Sequence, residues 1–133
     1  SALRSRIWPA KGGALMAIFE VESWRVAEGQ QAEHDAAMRQ WLQWINDHRE
    51  LFAEWKSVRY FNKYIAGEGS GRYFVVWEYD SLTAFEAYKA RRADYAGPYA
   101  EYRENDPYYK DVFDHSTMTM EVWNDVDRAL WME

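Results

Sequence analysis

Cysteine is absent from this 133-residue sequence, which excludes disulfide bonds, thiolate metal sites and cysteine nucleophiles. An excess of basic residues is also lacking, since 16 lysines and arginines stand against 22 aspartates and glutamates, for a formal net charge of −6. That balance argues against a broad surface for nucleic acid or anionic lipid. No apolar run approaches the roughly 20 residues of a membrane-spanning helix. We therefore expect neither a nucleic-acid nor a membrane partner.

The first fifteen residues lack the apolar core of a signal peptide. We interpret residues 1–15 as a flexible leader or tag remnant, with Met16 as a candidate natural start. We expect one α+β domain over residues 16–133, with a cytoplasmic location.

Aromatic residues are the abundant class, at 18% of the chain with eight tryptophans and ten tyrosines. Such side chains bury large areas and dominate cores and interfaces. In a chain this short they indicate an interface or an aromatic-lined pocket.

Hydrophobic periodicity predicts an order of strand, helix, strand, strand, helix, strand. The predicted strands span residues 16–26, 56–65, 72–79 and 116–123, and the helices span 30–55 and 82–92. Asn46 and Asp47 are weak helix formers and favour a bend or break in the first helix. Short helical turns are expected within 94–114 and at 126–132. This order is typical of a ferredoxin-like α+β fold, βαββαβ, with two helices on one face of a four-stranded antiparallel sheet.

Strand alternation also assigns side chains to the two faces of the sheet. The set predicted to pack under the helices is Phe19, Val21, Tyr73, Val75, Trp77, Met118, Met120 and Val122. The set predicted for the opposite face is Ile18, Glu20, Glu22, Trp24, Arg59, Phe61, Lys63, Phe74, Val76, Glu78, Thr117, Thr119, Glu121 and Trp123. That second face is too apolar for water, so we expect a homodimer that pairs through it.

The acidic residues of that second face need partners if the face is buried. We expect Glu20, Glu22, Glu78 and Glu121 to pair with Arg59 and Lys63 inside the dimer interface. Binding of a cation by Glu20 and Glu22 is the alternative.

The stretch from Phe74 to Phe85 resembles the strand–turn–helix signature of the dimeric α/β-barrel proteins, which include antibiotic-biosynthesis-monooxygenase-like domains. The resemblance implies two ferredoxin-like domains whose sheets close a barrel, with a ligand cavity between each sheet and its helices. It implies Trp77 as a cavity-lining residue. The helix 82–92 has no histidine where haem-degrading relatives place their haem ligand, so we expect no haem. We expect no other cofactor.

The candidate ligand-binding residues are Trp77, Tyr60, Asn62 and Tyr88. His48 is a candidate acid or base, because the pKa of a histidine suits proton transfer near neutral pH. His34 and His48 lie about four helical turns apart, too far to share a metal, and no metal site is predicted.

A tyrosine-rich segment has two interpretations. Its rings either cap a ligand cavity or seal the open end between helices and sheet; they are Tyr95, Tyr99, Tyr102, Tyr108 and Tyr109.

Three functions remain open from the sequence. The first is a cofactor-independent oxygenase-like or isomerase-like enzyme acting on an aromatic or apolar metabolite. The second is a non-catalytic binding module for such a molecule, and the third is a structural dimer.

Overall fold

A computed structural model describes residues 16–133 of the chain; the expected leader, residues 1–15, lies outside the described residues. The strands are β1 (Ile18–Val26), β2 (Trp55–Asn62), β3 (Tyr73–Tyr79) and β4 (Phe113–Asn124). The helices are α1 (Gln31–Asp47), α2 (Leu82–Arg91) and α3 (Tyr99–Asn105). Short 3₁₀ turns span Arg49–Phe52, Gly67–Gly69, Pro107–Tyr109 and Arg128–Leu130.

The four strands form one antiparallel sheet in the order β2-β3-β1-β4. One helix lies between β1 and β2 along the chain, and two lie between β3 and β4. This is the ferredoxin-like α+β fold that the periodicity predicted. A buried cluster joins the sheet residues Val75 and Trp77 to Trp41 of α1, Tyr88 of α2 and Tyr102 of α3. The helices therefore cover one face of the sheet, called here the inner face.

Local chemistry explains where the helices begin and end. The Ser81 hydroxyl accepts a hydrogen bond from the Ala84 amide at 3.1 Å and caps α2. Helix α1 ends at Asp47, so the predicted helix to residue 55 was too long. The aromatic spacing continues through a 3₁₀ turn, where Phe52 is buried, and Trp55 already opens β2. The helix ends at the weak helix formers Asn46 and Asp47, but the side chains of Phe52 and Trp55 still pack into the core.

The predicted orientation of β1 was wrong. In the register, Glu20 lies opposite Trp77 and Glu22 lies opposite Val75, so both glutamates project from the inner face. Phe19 and Val21 project from the outer face instead. The faces predicted for Trp77, Val75 and Met120 were right. The expected pairing of Glu20 and Glu22 with Arg59 and Lys63 is therefore wrong for these two carboxylates.

The outer face carries Glu78, which forms one of the expected ion pairs, with Arg59 at 3.7 Å; the location of this pair inside a dimer interface stays a prediction. The chain beyond β4 returns across this face, where Trp131 stacks on Phe19 with ring centroids 6.4 Å apart. Arg128 binds Glu78 at 3.4 Å and secures that crossing. No helix within residues 16–133 combines the length and apolar character needed to cross a membrane.

Candidate functional site

A cavity of about 210 Å³ lies between the inner face of the sheet and the helices. Strands β1, β2, β3 and β4, all three helices and the segment around Asp106 contribute to its wall. The lining residues are Glu20, Glu22, Trp41, Trp55, Trp77, Tyr88, Lys89, Arg92, Tyr95, Tyr102, Asp106, Tyr108, Tyr109 and Met120.

Edge-on and tilted aromatic rings form one continuous side of this cavity. The ring centroids of Trp41 and Trp77 lie 6.0 Å apart in a T-shaped contact, and those of Trp77 and Trp55 lie 6.1 Å apart. Trp55 contacts Tyr88 at 5.1 Å. Aromatic pairs at such distances stabilise one another beyond the area they bury. The wall is a preformed apolar surface suited to a flat ring.

Glu20 is a fully partnered carboxylate at the edge of the cavity. Lys89 Nζ donates to Glu20 Oε2 at 2.6 Å, and Tyr79 Oη donates to Glu20 Oε1 at 3.0 Å. Trp55 Nε1 donates to Tyr79 Oη at 3.1 Å and completes the chain. Because both oxygens have a donor, the buried charge is compensated.

Glu22, two residues further along the same face, has a different environment. Burial, followed by the nearby charges of Asp106 and Glu20, raises its pKa from 4.5 to about 7. Burial likewise raises the pKa of Asp106 from 3.8 to about 6, although its carboxylate accepts a hydrogen bond from the Tyr108 amide. The cavity thus holds two carboxyls that exchange protons near neutral pH.

Arg92 supplies a cation to the same cavity. Its Nη1 donates to Tyr95 Oη at 2.8 Å, and its guanidinium lies 5.3 Å from the centroid of the Tyr88 ring. Tyr95 itself has a φ of +52°, in the left-handed region that favours glycine. Its side-chain contacts with Arg92 and Tyr109 hold this backbone in place.

Several buried polar atoms of the residues that line the cavity lack hydrogen-bond partners within residues 16–133. They are Trp41 Nε1, Trp77 Nε1, Tyr88 Oη and Arg92 Nε. Nearly all buried polar groups in proteins have partners, so four such atoms among the residues that line one cavity are an unusual concentration of unsatisfied donors.

Two grooves of about 460 and 500 Å³ lie beside β2 and α1. Among the described residues that line them, none carries an unpartnered buried polar atom. No group of three or more histidine or acidic side chains in residues 16–133 converges closely enough to hold a metal ion. The smaller cavity is therefore the candidate site.

The structure brings Trp77 and Tyr88 together in this cavity and places the other predicted site residues elsewhere. Tyr60 stacks on Tyr73 at 5.7 Å and lines the groove beside α1. Asn62 is exposed at the end of β2. His48 stacks on Trp44 at 3.8 Å, with its Nδ1 2.8 Å from the Trp44 carbonyl, and lies outside the cavity. Ligand or catalytic roles for these three residues stay predictions.

Four of the five rings in the tyrosine-rich segment line the cavity, and the fifth, Tyr99, does not. Tyr99 instead donates a hydrogen bond to the Leu51 carbonyl at 2.7 Å.

Lys89, Arg92 and Asp106 were not predicted as site residues, and Glu22 was considered only on the opposite face of the sheet, for ion pairing or cation binding. The signal for Glu22 was Trp24, which shares its strand face and is completely buried. A tryptophan aligned with two glutamates indicates an inner face that contains carboxylates.

No protein-family model and no curated protein matches this sequence. Solved structures do match. A NIPSNAP family protein from Agrobacterium tumefaciens has a TM-score of 0.58 at 15% identity, over 80% of this chain and 90% of that chain. A NIPSNAP-like domain protein from Burkholderia xenovorans has a TM-score of 0.57 at 16% identity, over 88% and 90%. A provisionally assigned antibiotic biosynthesis monooxygenase from Caulobacter crescentus has a TM-score of 0.56 at 13% identity, over 84% and 91%.

These likenesses concern the fold. They confirm the resemblance to antibiotic-biosynthesis-monooxygenase-like domains at the level of the backbone. They do not identify a reaction.

Proposed function

We propose that this protein is an enzyme that moves a proton on a small, single-ring molecule bound between the sheet and the helices, with Glu22 as the acid–base group. The observation that carries the proposal is the position of Glu22. It is a half-buried carboxyl with a pKa of about 7, in a cavity walled by aromatic rings.

The size of the cavity limits the substrate. An apolar cavity of about 150 Å³ accepts benzene, so one of about 210 Å³ fits one ring with small substituents. Pockets for drug-sized ligands usually measure about 300 Å³ or more. The substrate is therefore a monocyclic aromatic or alicyclic compound.

The pKa of Glu22 suits acid–base catalysis. A general base works best when its pKa lies near the working pH, because both protonation states are then accessible. Asp106 and Glu20 help to raise the pKa of Glu22, and Glu20 is itself held by Lys89 and Tyr79. Two carboxyls with different surroundings in one site are a recurring arrangement for proton transfer.

Solvent deuterium exchange tests the proposal directly. Cyclohexanone, 2-cyclohexenone and 4-substituted phenols are incubated with the protein in D₂O, and carbon-bound deuterium is followed by NMR. We expect catalysed exchange with at least one compound, and its loss in Glu22→Gln. The matched control is Glu86→Gln, because Glu86 is exposed on α2 and outside the cavity.

Two other outcomes separate the related functions. Oxygen uptake that depends on Glu22, measured with an oxygen electrode, would favour an oxygenase-like reaction over an isomerase-like one. Binding of these compounds without exchange or oxygen uptake would favour the non-catalytic binding module and contradict the proposed catalysis.

We also propose that two copies pair through the outer face of the sheet. Phe61 and Trp123 are about half exposed there, at 51% and 49%, and Phe74 and Val76 lie on the same face. Sedimentation velocity at micromolar concentration should show a dimer, and Phe61→Glu should weaken it. A wild-type monomer under these conditions would refute the pairing.

A further inference from the structure

A groove runs between helix α1 and strand β2, apart from the proposed acid–base group. The openings of about 460 and 500 Å³ share Leu42 and Asn46 in their walls, so they are adjacent parts of one groove, called here the α1–β2 groove. On the helix side, Arg39, Leu42 and Asn46 are three and four residues apart and therefore share one face of α1. On the strand side, Val58 and Tyr60 are half-buried on the inner face of the sheet. The groove thus has an apolar floor between a helix and a strand.

Strand β2 has an open backbone edge beside this groove. It is the outermost strand in the order β2-β3-β1-β4, so only one of its edges is paired. The Lys63 amide donates to the Arg72 carbonyl at 2.8 Å, so the backbone of Lys63 faces the neighbouring strand. Successive residues of an antiparallel strand alternate in this direction, so Val58 and Tyr60 direct their amides and carbonyls to the open edge. Such an edge can bind an extended peptide as a further strand.

The groove is basic although the chain is acidic. Among the described residues that line it, Arg39, Arg49 and Lys56 stand against one carboxylate, that of Asp35. The whole chain has 16 basic and 22 acidic residues. Within residues 16–133, Arg39 and Arg49 form no ion pair, and Lys56 pairs at 3.4 Å only with the exposed Asp80. Exposed pairs of this kind are weak, so the groove offers positive charge to a partner.

Charge distinguishes three candidate occupants of the groove. A second copy that paired through the same edge would bring Lys56 and Arg59 close to the same two residues of its partner, and like charges across a strand pair are destabilising. The charged residues of the segment 1–15 are all basic, namely Arg4, Arg6 and Lys11, so this segment does not match the groove either. Cationic side chains on an edge strand hinder pairing with other copies. The same charges attract a strand that carries carboxylates.

We propose that the α1–β2 groove binds an extended, acidic segment of a partner protein, which adds to β2 as a further strand. Main-chain hydrogen bonds to Val58 and Tyr60 hold the segment, and its alternate apolar side chains enter the groove against Leu42. Its carboxylates lie beside Arg39 and Arg49. This interaction does not depend on the proposed acid–base function.

Peptide selection tests the proposal. A phage-displayed library of random peptides of about ten residues, the length of a long strand, is selected on the immobilised wild-type protein. Enriched peptides are synthesised with a fluorescent label, and their Kd is measured by anisotropy. We expect sequences that alternate apolar residues with Asp or Glu, and binding that weakens as salt is raised. No enrichment, or enriched peptides without acidic residues, would overturn the proposal.

Charge reversal in the protein locates the binding site. Arg39→Glu and Arg49→Glu should each weaken binding of the selected peptides roughly tenfold. Both arginines are exposed, so the variants keep the core intact. The matched control is Lys110→Glu, because Lys110 is exposed and lies outside the groove. It should bind as the wild type does. Equal binding by the wild type and the two arginine variants, or an equal loss in Lys110→Glu, would overturn the site.

Peptides with methylated backbone amides test the added strand itself. Methylation of every second amide removes the hydrogen bonds on one edge of a bound strand. One alternate set should abolish binding, whereas the other set, which faces solvent, should leave it unchanged. Hydrogen exchange followed by NMR should show that the peptide protects the amides of Val58 and Tyr60 but does not alter that of Arg59, which faces β3. Binding that tolerates both methylated sets, or protects neither amide, would overturn strand addition.

Discussion

Replacing Glu22 by glutamine should stabilise the protein, and should do so only above acidic pH. In the unfolded chain the carboxyl ionises with a pKa near 4.5, whereas in the folded protein its pKa is about 7. Between these values the folded state binds more protons than the unfolded state, so stability falls as pH rises. Below pH 4 both states are protonated and the penalty is absent. Glutamine has nearly the same shape and no charge to bury.

The size of the effect follows from the pKa difference. A difference of about 2.5 pKa units corresponds to roughly 3 kcal/mol at pH 8. Solvent that reaches the half-buried side chain reduces this value, so it is an upper bound. For a chain of this length, 1 kcal/mol changes Tm by about 4 °C, and the variant should gain up to roughly 10 °C.

Urea denaturation followed by tryptophan fluorescence, repeated from pH 4 to pH 9, measures this difference. The gain of Glu22→Gln over wild type should be constant below pH 4, grow between about pH 4.5 and 7, and level off above. Asp106→Asn, which removes the neighbouring charge, should move the upper end of that window to lower pH. A gain that is independent of pH, or largest in acid, would refute the assignment of the raised pKa to Glu22. Glu86→Gln, the exposed control, should show no such pH-dependent gain in stability over the wild type.

Three further substitutions test the surroundings of the site, each by the free energy of unfolding in urea. Lys89→Met leaves the Glu20 carboxylate buried without its cation and should cost about 3 kcal/mol; no loss would show that the pair is dispensable. His34→Phe removes the acceptor of the Trp24 indole N–H, which lies 2.9 Å from His34 Nε2, and should cost about 1–3 kcal/mol. A second change, Trp24→Phe, should then cost less than it does in the wild type. Ser81→Ala removes the cap of α2 and should cost about 1 kcal/mol, whereas an unchanged midpoint would contradict the capping role.

The fold was largely predictable because its signals are local. Alternation, the glycine-rich connector before β3 and the Ser81 cap identify elements from a few neighbouring residues each, and their order selects the ferredoxin-like arrangement. The end of α1 was harder to predict. Phe52 and Trp55 continue the helical spacing, because a 3₁₀ turn and the first residue of β2 also direct their side chains to the core.

The site was harder to predict because it depends on which face of β1 is inside. Both faces of this strand carry buried residues: Val21 is 2% exposed on the outer face and Trp24 is completely buried on the inner one. β1 is a central strand, flanked by β3 and β4, so burial on its two sides differs little. The apolar character of Phe19 and Val21 then pointed the wrong way. Trp77 was found because the family resemblance marks it, whereas Arg92 follows the last residue of α2 and has no pattern of its own.

The contrast between Glu20 and Glu22 is the strongest argument that the cavity has a function. The two carboxylates share a strand, a face and a cavity, yet Glu20 has a donor at each oxygen and Glu22 has no hydrogen-bond partner among residues 16–133. If the Glu22 carboxyl only filled space, glutamine would serve equally well at this position and would raise the stability by up to about 3 kcal/mol. Groups that lower stability in a cleft and titrate near neutral pH are typical of active sites, where the chemistry needs the perturbed group. The unpartnered buried atoms of Trp41, Trp77, Tyr88 and Arg92, all of them residues that line this cavity, carry the same kind of cost.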